Sequence, residues 1–359
     1  MSNNSQVKSI GLGSFFHKTA SENIPQYDLH THIPNYELFY TGRHAIKYLL
    51  KDLISKSAYS TIWLPKYYCQ HVTNWLQQNF SNINFYSINA FCKTEEQLRI
   101  LDFATENDIV ILNNFWGVFE YQLPTTKKKP VIIEDHSHGW LSTGCLQSKA
   151  DYCFASLRKT LPIPLGGILW KPNGQKININ GLLLKQDQNF YENWNTIEEA
   201  MLLKADYLKN NITNNKDVYL NLIAKSENYL HKQYDVIQLK EEHKQYIKTF
   251  LNKNYTKTKT LNLETIYTAI KPSDNFKVLR YKNLVTFGLQ LAFKERTLFN
   301  SLKLYLISNN IYPSELWPGN ETNIVNYNFM LNIHIDFRYT KNEAEYIVET
   351  LNKWTKTNN

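Results

Sequence analysis

Apolar and polar positions along this chain follow two rhythms, and the changeovers between them mark its elements. Ala45, Ile46, Leu49, Leu50, Leu53 and Ile54 recur every three to four residues, which predicts an amphipathic helix over Arg43–Ser55. Short apolar runs predict strands at Thr61–Leu64, Asn84–Ile88, Asp108–Asn113, Pro130–Glu134, Tyr152–Ala155 and Gly167–Trp170, with a helix through Val72, Trp75 and Leu76 between the first two. These runs are continuous in Val, Ile and Leu rather than alternating, the pattern of strands buried on both faces of a largely parallel sheet. Residues 190–233 read as helical, with Leu202, Leu203, Leu208, Tyr219, Leu220, Leu222 and Leu230 as the apolar stripe, and a less ordered connector follows to about residue 260. Beyond it, strand-like Asn283–Phe293, the helix Arg296–Ser308, strand-like Met330–Phe337 and the helix Glu343–Trp354 form a small α+β unit. The expectation is an α/β protein. A large domain over residues 1–240, N-terminal segment included, is built on a mostly parallel sheet, and a small α+β domain spans 241–359.

Composition narrows the function classes. At 359 residues, with 43% hydrophobic and 14% aromatic residues, the chain has material for two cored domains and is not disordered. The formal charge of +8 is spread out, and its densest run is only Lys127-Lys128-Lys129, which argues against a nucleic-acid partner and suits phosphorylated small molecules. Cys69, Cys92, Cys145 and Cys153 have no metal-like spacing and are expected to be free thiols of a reducing compartment. The N-terminus lacks the pattern of a secretory signal and no apolar run is long enough to cross a bilayer, so a soluble cytoplasmic protein is expected.

Ligands of open parallel sheets collect at the carboxyl ends of the strands. Asp135 and Lys159 fall at or just past two such ends, the second within DYCFASLRKTLPIPLGGILW. A lysine beside a buried strand end is costly unless its amine has work to do. Lys159 follows Ser156 by three residues and precedes Gly166-Gly167, an arrangement that suits an imine bond to pyridoxal 5′-phosphate (PLP). That chemistry needs an amine, an acid for the pyridine nitrogen, an anion cradle and a flat side chain against the ring. Asp135 is the candidate acid, and Ser156 a hydroxyl for the phosphate. Gly42-Arg43-His44, with Thr41 as N-cap, opens a helix whose amides and dipole favour an anion. Tyr67 and Tyr68, in the segment after the first strand-like run, are the aromatics that could stack on the ring; Arg338 is a candidate for an anionic substrate group or for a structural ion pair. A competing reading is a metal-dependent hydrolase. His30 and His32, and again His136 and His138, have the His-x-His spacing of such sites, although His30 lies in a polar segment with no buried strand before it.

Seven segments together resemble the DegT/DnrJ/StrS group of PLP enzymes, within the aspartate-aminotransferase fold (fold type I). They are TGRHAI, LPKYYCQHV, ILNNFWG, IIEDHSHGW, ASLRKTLPIPLGG, IYPSELWP and LNIHIDFRYT, in the family's order over residues 38–170 and 300–355. The resemblance implies Lys159 as the attachment lysine, Asp135 as the pyridinium partner, Ser156 as a phosphate ligand and His138 near the phenolic oxygen. It also implies a homodimer, glutamate as the usual amino donor, and a keto-sugar acceptor, commonly nucleotide-linked; a non-sugar keto acceptor is the alternative. The chain departs from the pattern in three places, one of them the ring-stacking position, where strict register puts Cys69, flanked by Tyr67 and Tyr68. Arg43 stands where many relatives carry a hydroxyl, and no Gly-x-Asn-x-Arg-Met type segment occurs in residues 186–235.

Overall fold

Tyr36–Phe39 (β1) runs straight into the helix Gly42–Lys56 (α1), whose N-cap Thr41 accepts a hydrogen bond from the His44 amide at 3.1 Å. Ile62–Pro65 (β2), Gln70–Asn79 (α2), Ile83–Tyr86 (β3), Ile109–Asn113 (β4), Val131–Asp135 (β5), the short helix Thr143–Leu146 (α3), Tyr152–Ser156 (β6) and Gly167–Trp170 (β7) follow in a computed structural model. It describes residues 11–91, 98–178, 184–210, 212, 214–281, 286–318 and 327–358; Cys92 and the first residues of the strand expected from Asn283 lie outside them.

The seven strands form one sheet in the order β1-β7-β6-β5-β4-β2-β3. The expected parallel character holds from β3 through β6, and β7 runs antiparallel to both β6 and β1. Side chains alternate between faces along a strand. One face carries Ile109, Ile111, Ile133 and Phe154 into a core closed by Ala45, Ile46, Leu49 and Leu50 of α1. Each such buried aliphatic side chain contributes about 1.5–3 kcal/mol, so the apolar stripe of α1 fixes which face it covers. Strand β7 passes so close to the start of α1 that a Cβ on Gly167 would lie 2.3 Å from the Thr41 carbonyl oxygen and 2.8 Å from the Gly42 nitrogen. Both neighbours are backbone and cannot move aside. Gly167→Ala is therefore expected to destabilise the protein by about 3 kcal/mol, the upper end for overpacking, read as a lowered urea midpoint.

Gln188–Asn210 (α4) and Asn214–His231 (α5) replace the single helical stretch expected over 190–233. The connector expected to be loosely ordered is instead largely helical, as Glu241–Leu251 (α6) and Thr256–Ala269 (α7). Its apolar residues are sparse, yet His243, Ile247, Phe250 and Leu251 share one buried face of α6. The chain divides into two units, residues 16–254 and residues 255–318 with the first fifteen and the C-terminal segment, rather than at the expected 240/241 boundary. The reason is visible in α6. The His243 ring stacks on Trp194 with centroids 4.1 Å apart, and its Nδ1 lies 2.7 Å from the Tyr40 hydroxyl, so α6 belongs to the larger unit.

The smaller unit has a four-stranded antiparallel sheet, Lys277–Val278 (β8), Leu289–Phe293 (β9), Ser314–Glu315 (β10) and Phe329–Ile333 (β11), in the order β10-β11-β9-β8. Helices Arg296–Ser308 (α8) and Lys341–Asn358 (α9), with α7, pack Leu263, Phe299, Leu302, Ile347 and Leu351 against it. Leu12 joins this core and bonds through its backbone to Asn310 and Tyr312, which is why the chain start groups here.

Candidate active site

Strands β5 and β6 lie side by side, with Asp135 paired to Phe154. By the two-residue period, Ile133 and Asp135 share a face with Phe154 and Ser156, the face that α1 covers. Asp135 and Ser156 therefore emerge together at the carboxyl ends of adjacent strands, beside the first turn of α1. A Cβ on Gly42 would sit 3.2 Å from Ser156 Cβ and 3.3 Å from its nitrogen, so a glycine is what lets the helix start approach this strand end closely.

Asp135 is 5% exposed. Its Oδ2 accepts a hydrogen bond from the Tyr68 hydroxyl at 2.5 Å and its Oδ1 accepts from the Ser137 amide at 2.8 Å. Ser137 Oγ in turn accepts from the Ser156 amide at 2.9 Å, tying the two strand ends together. Burial first, and then the neighbouring carboxylate, push the Tyr68 hydroxyl well above its ordinary pKa, so Tyr68 stays a donor. Its bond to Asp135, rather than a stacking ring, is what the structure places at the site. Lys159 ends the 3-10 turn that follows β6, with Nζ 3.5 Å from His138 Nε2, the outer limit of a hydrogen bond. The His138 ring lies nearly parallel to Trp116, with centroids 5.6 Å apart and an interplanar angle of 16°. Trp116 is held in the left-handed region at φ 57° and donates through Nε1 to the Ala90 carbonyl at 2.6 Å.

The first turn of α1 divides its work. The His44 amide is taken by Thr41, and its ring packs against Phe190 with centroids 5.3 Å apart. Burial, helped by Arg43 and Lys47, pushes that imidazole down to about 3, so it is neutral at physiological pH. His44, expected among the cofactor contacts, is thus a core residue. The amides of Gly42 and Arg43, as first-turn groups, have no acceptor within the helix.

Alternate residues point to the opposite face. His136 Nε2 is 3.0 Å from Glu134 Oε2, and its Nδ1 is 3.0 Å from Asn114 Nδ2. The Asn114 carbonyl oxygen accepts from the Phe119 amide, which fixes the amide's orientation. Nδ1 of His136 is then an acceptor and Nε2 carries the ring proton, close to the Glu134 carboxylate but without a well-aligned hydrogen bond. With Cys153 this is the grouping of ligand-type side chains found among the described residues. A metal would need the lone pair that the Nε2 proton occupies and a thiolate, whereas burial pushes the Cys153 thiol well above its ordinary pKa. His30 and His32 do not join His136 or His138. His30 is exposed near the Pro34 carbonyl, and His32 stacks on Tyr27. The paired His-x-His reading therefore has no common centre.

Sequence reasoning missed one feature beside the lysine. Arg158 forks onto Glu227 of α5, Nη1 to Oε1 at 2.5 Å and Nη2 to Oε2 at 3.1 Å. Burial opposes the Glu227 charge, but Arg158, His231 and Arg43 together hold its carboxyl below the usual range. Nothing in a 69-residue separation announces this pair; the only signal was a second cation directly before Lys159. In the smaller unit, Arg338 gives its donors to Asp336 and to the carbonyls of Ser14 and Phe15. It serves the structural ion pair, not an anionic substrate group.

No family model matches the chain, and no curated protein matches it. Solved structures do. The sugar aminotransferase CalS13 from Micromonospora echinospora superposes with a TM-score of 0.59 at 12% identity, over 96% of this chain and 99% of that one. The PLP-form of the putative sugar aminotransferase Spr1654 from Streptococcus pneumoniae gives 0.57 at 12%, over 96% and 93%. Helicobacter pylori PseC, an aminotransferase involved in the biosynthesis of pseudoaminic acid, gives 0.57 at 12%, over 96% and 100%. A NifS-like protein and Sphingomonas wittichii serine palmitoyltransferase are also similar, at 0.54 and 0.52, so the shared architecture hosts more than one reaction. At such identities the likeness is one of fold, and the chain has the fold-type-I architecture, with its mostly parallel seven-stranded sheet.

Proposed function

We propose that the chain is a PLP-dependent aminotransferase of the DegT/DnrJ/StrS kind, passing an amino group from glutamate to a keto-sugar, nucleotide-linked, as a cytoplasmic homodimer. The observation that carries this reading is a convergence on one sheet face. The buried carboxylate of Asp135, the Gly42–Ser156 contact and the turn bearing Lys159 all meet at the ends of two adjacent parallel strands. The residues fit the cofactor. Gly42 lets the helix start close onto Ser156, and the Ser156 hydroxyl with the first-turn amides of Gly42 and Arg43 would hold a phosphate. Asp135 offers a fixed negative charge to a protonated ring nitrogen.

When bound, the cofactor supplies an aldehyde that captures amines and a ring that accepts electrons. The chain does the rest. Lys159 Nζ would hold the group covalently, and as base and then acid it would move the proton of the substrate α-carbon. His138, at 3.5 Å, keeps that amine within the site. Tyr68 and Ser137 orient the Asp135 carboxylate by donating to both of its oxygens. The sugar acceptor rests on similarity to structures described as sugar aminotransferases, matched over nearly their whole length. No helix among the described residues is long and apolar enough to cross a membrane.

Protein incubated with PLP is expected to turn yellow and to lose its visible band on borohydride reduction, with the mass adduct on the peptide containing Lys159. A colourless protein, or an adduct on another side chain, rejects the proposal.

A further inference from the structure

We propose that the chain carries a second ligand site at the end of the large sheet away from Lys159. Its ligand is a flat aromatic group bearing a doubly charged anion, as in a nucleoside monophosphate, and the inference does not rest on the function proposed above. Strands β5 and β6 begin here, at Val131 and Tyr152, and the antiparallel β7 ends here at Trp170. Four residue steps of β5, about 13 Å of strand, separate this end from Asp135. Between the strand starts and the last turn of α1 lies a cavity of about 620 Å³, within the range of about 300–1,000 Å³ usual for small-molecule sites. Its apolar lining is Leu53, Val131 and the rings of Tyr59 and Tyr152, all four packed on the core beneath α1. The walls are fixed. The Asp151 amide donates to the Ile132 carbonyl at 2.9 Å, and Asp151 Oδ2 accepts from the Ile132 amide at 2.8 Å. The turn after β7 is closed by the Gly174 amide on the Lys171 carbonyl at 3.0 Å, and Asn35 Nδ2 holds it by donating to the Gly174 carbonyl at 2.8 Å.

Charge and shape together name the ligand class. Among the described lining residues, Lys149 and Lys171 meet one carboxylate, Asp151. That carboxylate is already engaged, because its Oδ2 takes Lys129 Nζ at 2.6 Å as well as the Ile132 amide. Lys171 Nζ lies 5.0 Å from the centroid of the Tyr152 ring, and neither it nor Lys149 has an ion-pair partner among the described residues. Two uncompensated ammoniums repel a cation and suit a dianion, whereas a single carboxylate would leave one of them unmatched. A bare phosphate would answer the charge but leave the apolar floor uncovered. Tyr59 and Tyr152 offer aromatic surface to a second ring. Ser148, Asn173 and Gln175 add hydroxyl and amide groups to the lining. Such groups pair with the nitrogens and exocyclic atoms of a nucleobase and gain nothing from a hydrocarbon ring. A phosphate joined to a heteroaromatic base satisfies all three demands.

The test is a calorimetric titration of holoprotein, its cofactor fixed by borohydride and the excess removed, with adenosine 5′-monophosphate, adenosine and inorganic phosphate in turn. The monophosphate is expected to bind with a Kd below about 1 mM, and adenosine and phosphate each at least about tenfold more weakly. Lys171→Met and Lys149→Met are each expected to weaken the monophosphate by at least about tenfold, the worth of one charged hydrogen bond. Their thermal unfolding is expected to match wild type, since neither ammonium has an ion pair to lose. No binding of the monophosphate overturns the site. Adenosine binding as tightly as its monophosphate removes the lysines from it, phosphate binding as tightly removes the aromatic floor, and either result overturns the ligand class. Both lysine variants binding the monophosphate like wild type overturns the location. Wild-type protein that takes up no cofactor rejects the proposed function alone; the same titration then runs on the unloaded chain, because the cavity shares no residue with the cofactor position.

Discussion

Lys159→Ala is expected to cut amino transfer by at least about 10⁴-fold, the combined loss of covalent attachment and of the base, while thermal unfolding stays close to wild type. The second half of that expectation follows from the surroundings of the side chain. Lys159 is half-buried, ends a short turn, and touches His138 only at 3.5 Å. Its removal costs the buried His138 only a contact at the outer limit of a hydrogen bond, so the change in stability is expected to stay within about 1 kcal/mol. A rival amine exists in the smaller unit, where burial pushes Lys259 down to about 8. That amine is buried and donates to the Phe287 carbonyl at 2.8 Å, so it has no access to an aldehyde. The decisive measurement is therefore twofold. The Lys159→Ala protein must show no reduced-cofactor adduct at any lysine, and its single-turnover rate with a glutamate donor must collapse. Full transfer by this variant would end the assignment.

The convergence at Lys159 was legible in sequence because a buried parallel strand announces its own end. The apolar runs before Asp135 and Ser156 stop where β5 and β6 stop, to within a residue, and Gly167–Trp170 and Arg296–Ser308 match their elements. Features that depend on distant packing were not legible. Strand β1 is four residues long and exists because it pairs with β7, so no local period reveals it. The facing of His136 and His138 depends on a turn after β5 that sends one ring to Glu134 and the other to Trp116. A His-x-His spacing on paper cannot encode that split. The connector was misread because Lys and Thr dominate Thr256–Ala269, although Leu263, Ile266 and Tyr267 bury one side of it. His44 looked like part of an anion site because it sits in a helix's first turn. Its ring turns inward to Phe190 instead, and helical phase decides that, not composition.

Replacing Asp135 by Asn is expected to leave the protein folded and able to bind cofactor, yet to slow turnover by about 10²–10³-fold. The amide is nearly isosteric with the carboxylate. Its oxygen still accepts from the Ser137 amide, now at 2.8 Å from Oδ1, and its nitrogen can donate to a Tyr68 hydroxyl that reverses its role. What vanishes is the negative charge. An opposite charge a few ångströms away shifts a titration by about one to three units, each worth about 1.4 kcal/mol. At 5% exposure, solvent screens Asp135 little, which places the loss in the upper part of that range. The measurement is kcat/KM together with retention of the visible band. Band and rate lost together would make Asp135 a binding residue alone, and an unchanged rate would remove it from the chemistry. Only a retained band with a reduced rate fits a carboxylate whose work is to keep a proton on the ring nitrogen while Lys159 moves the other.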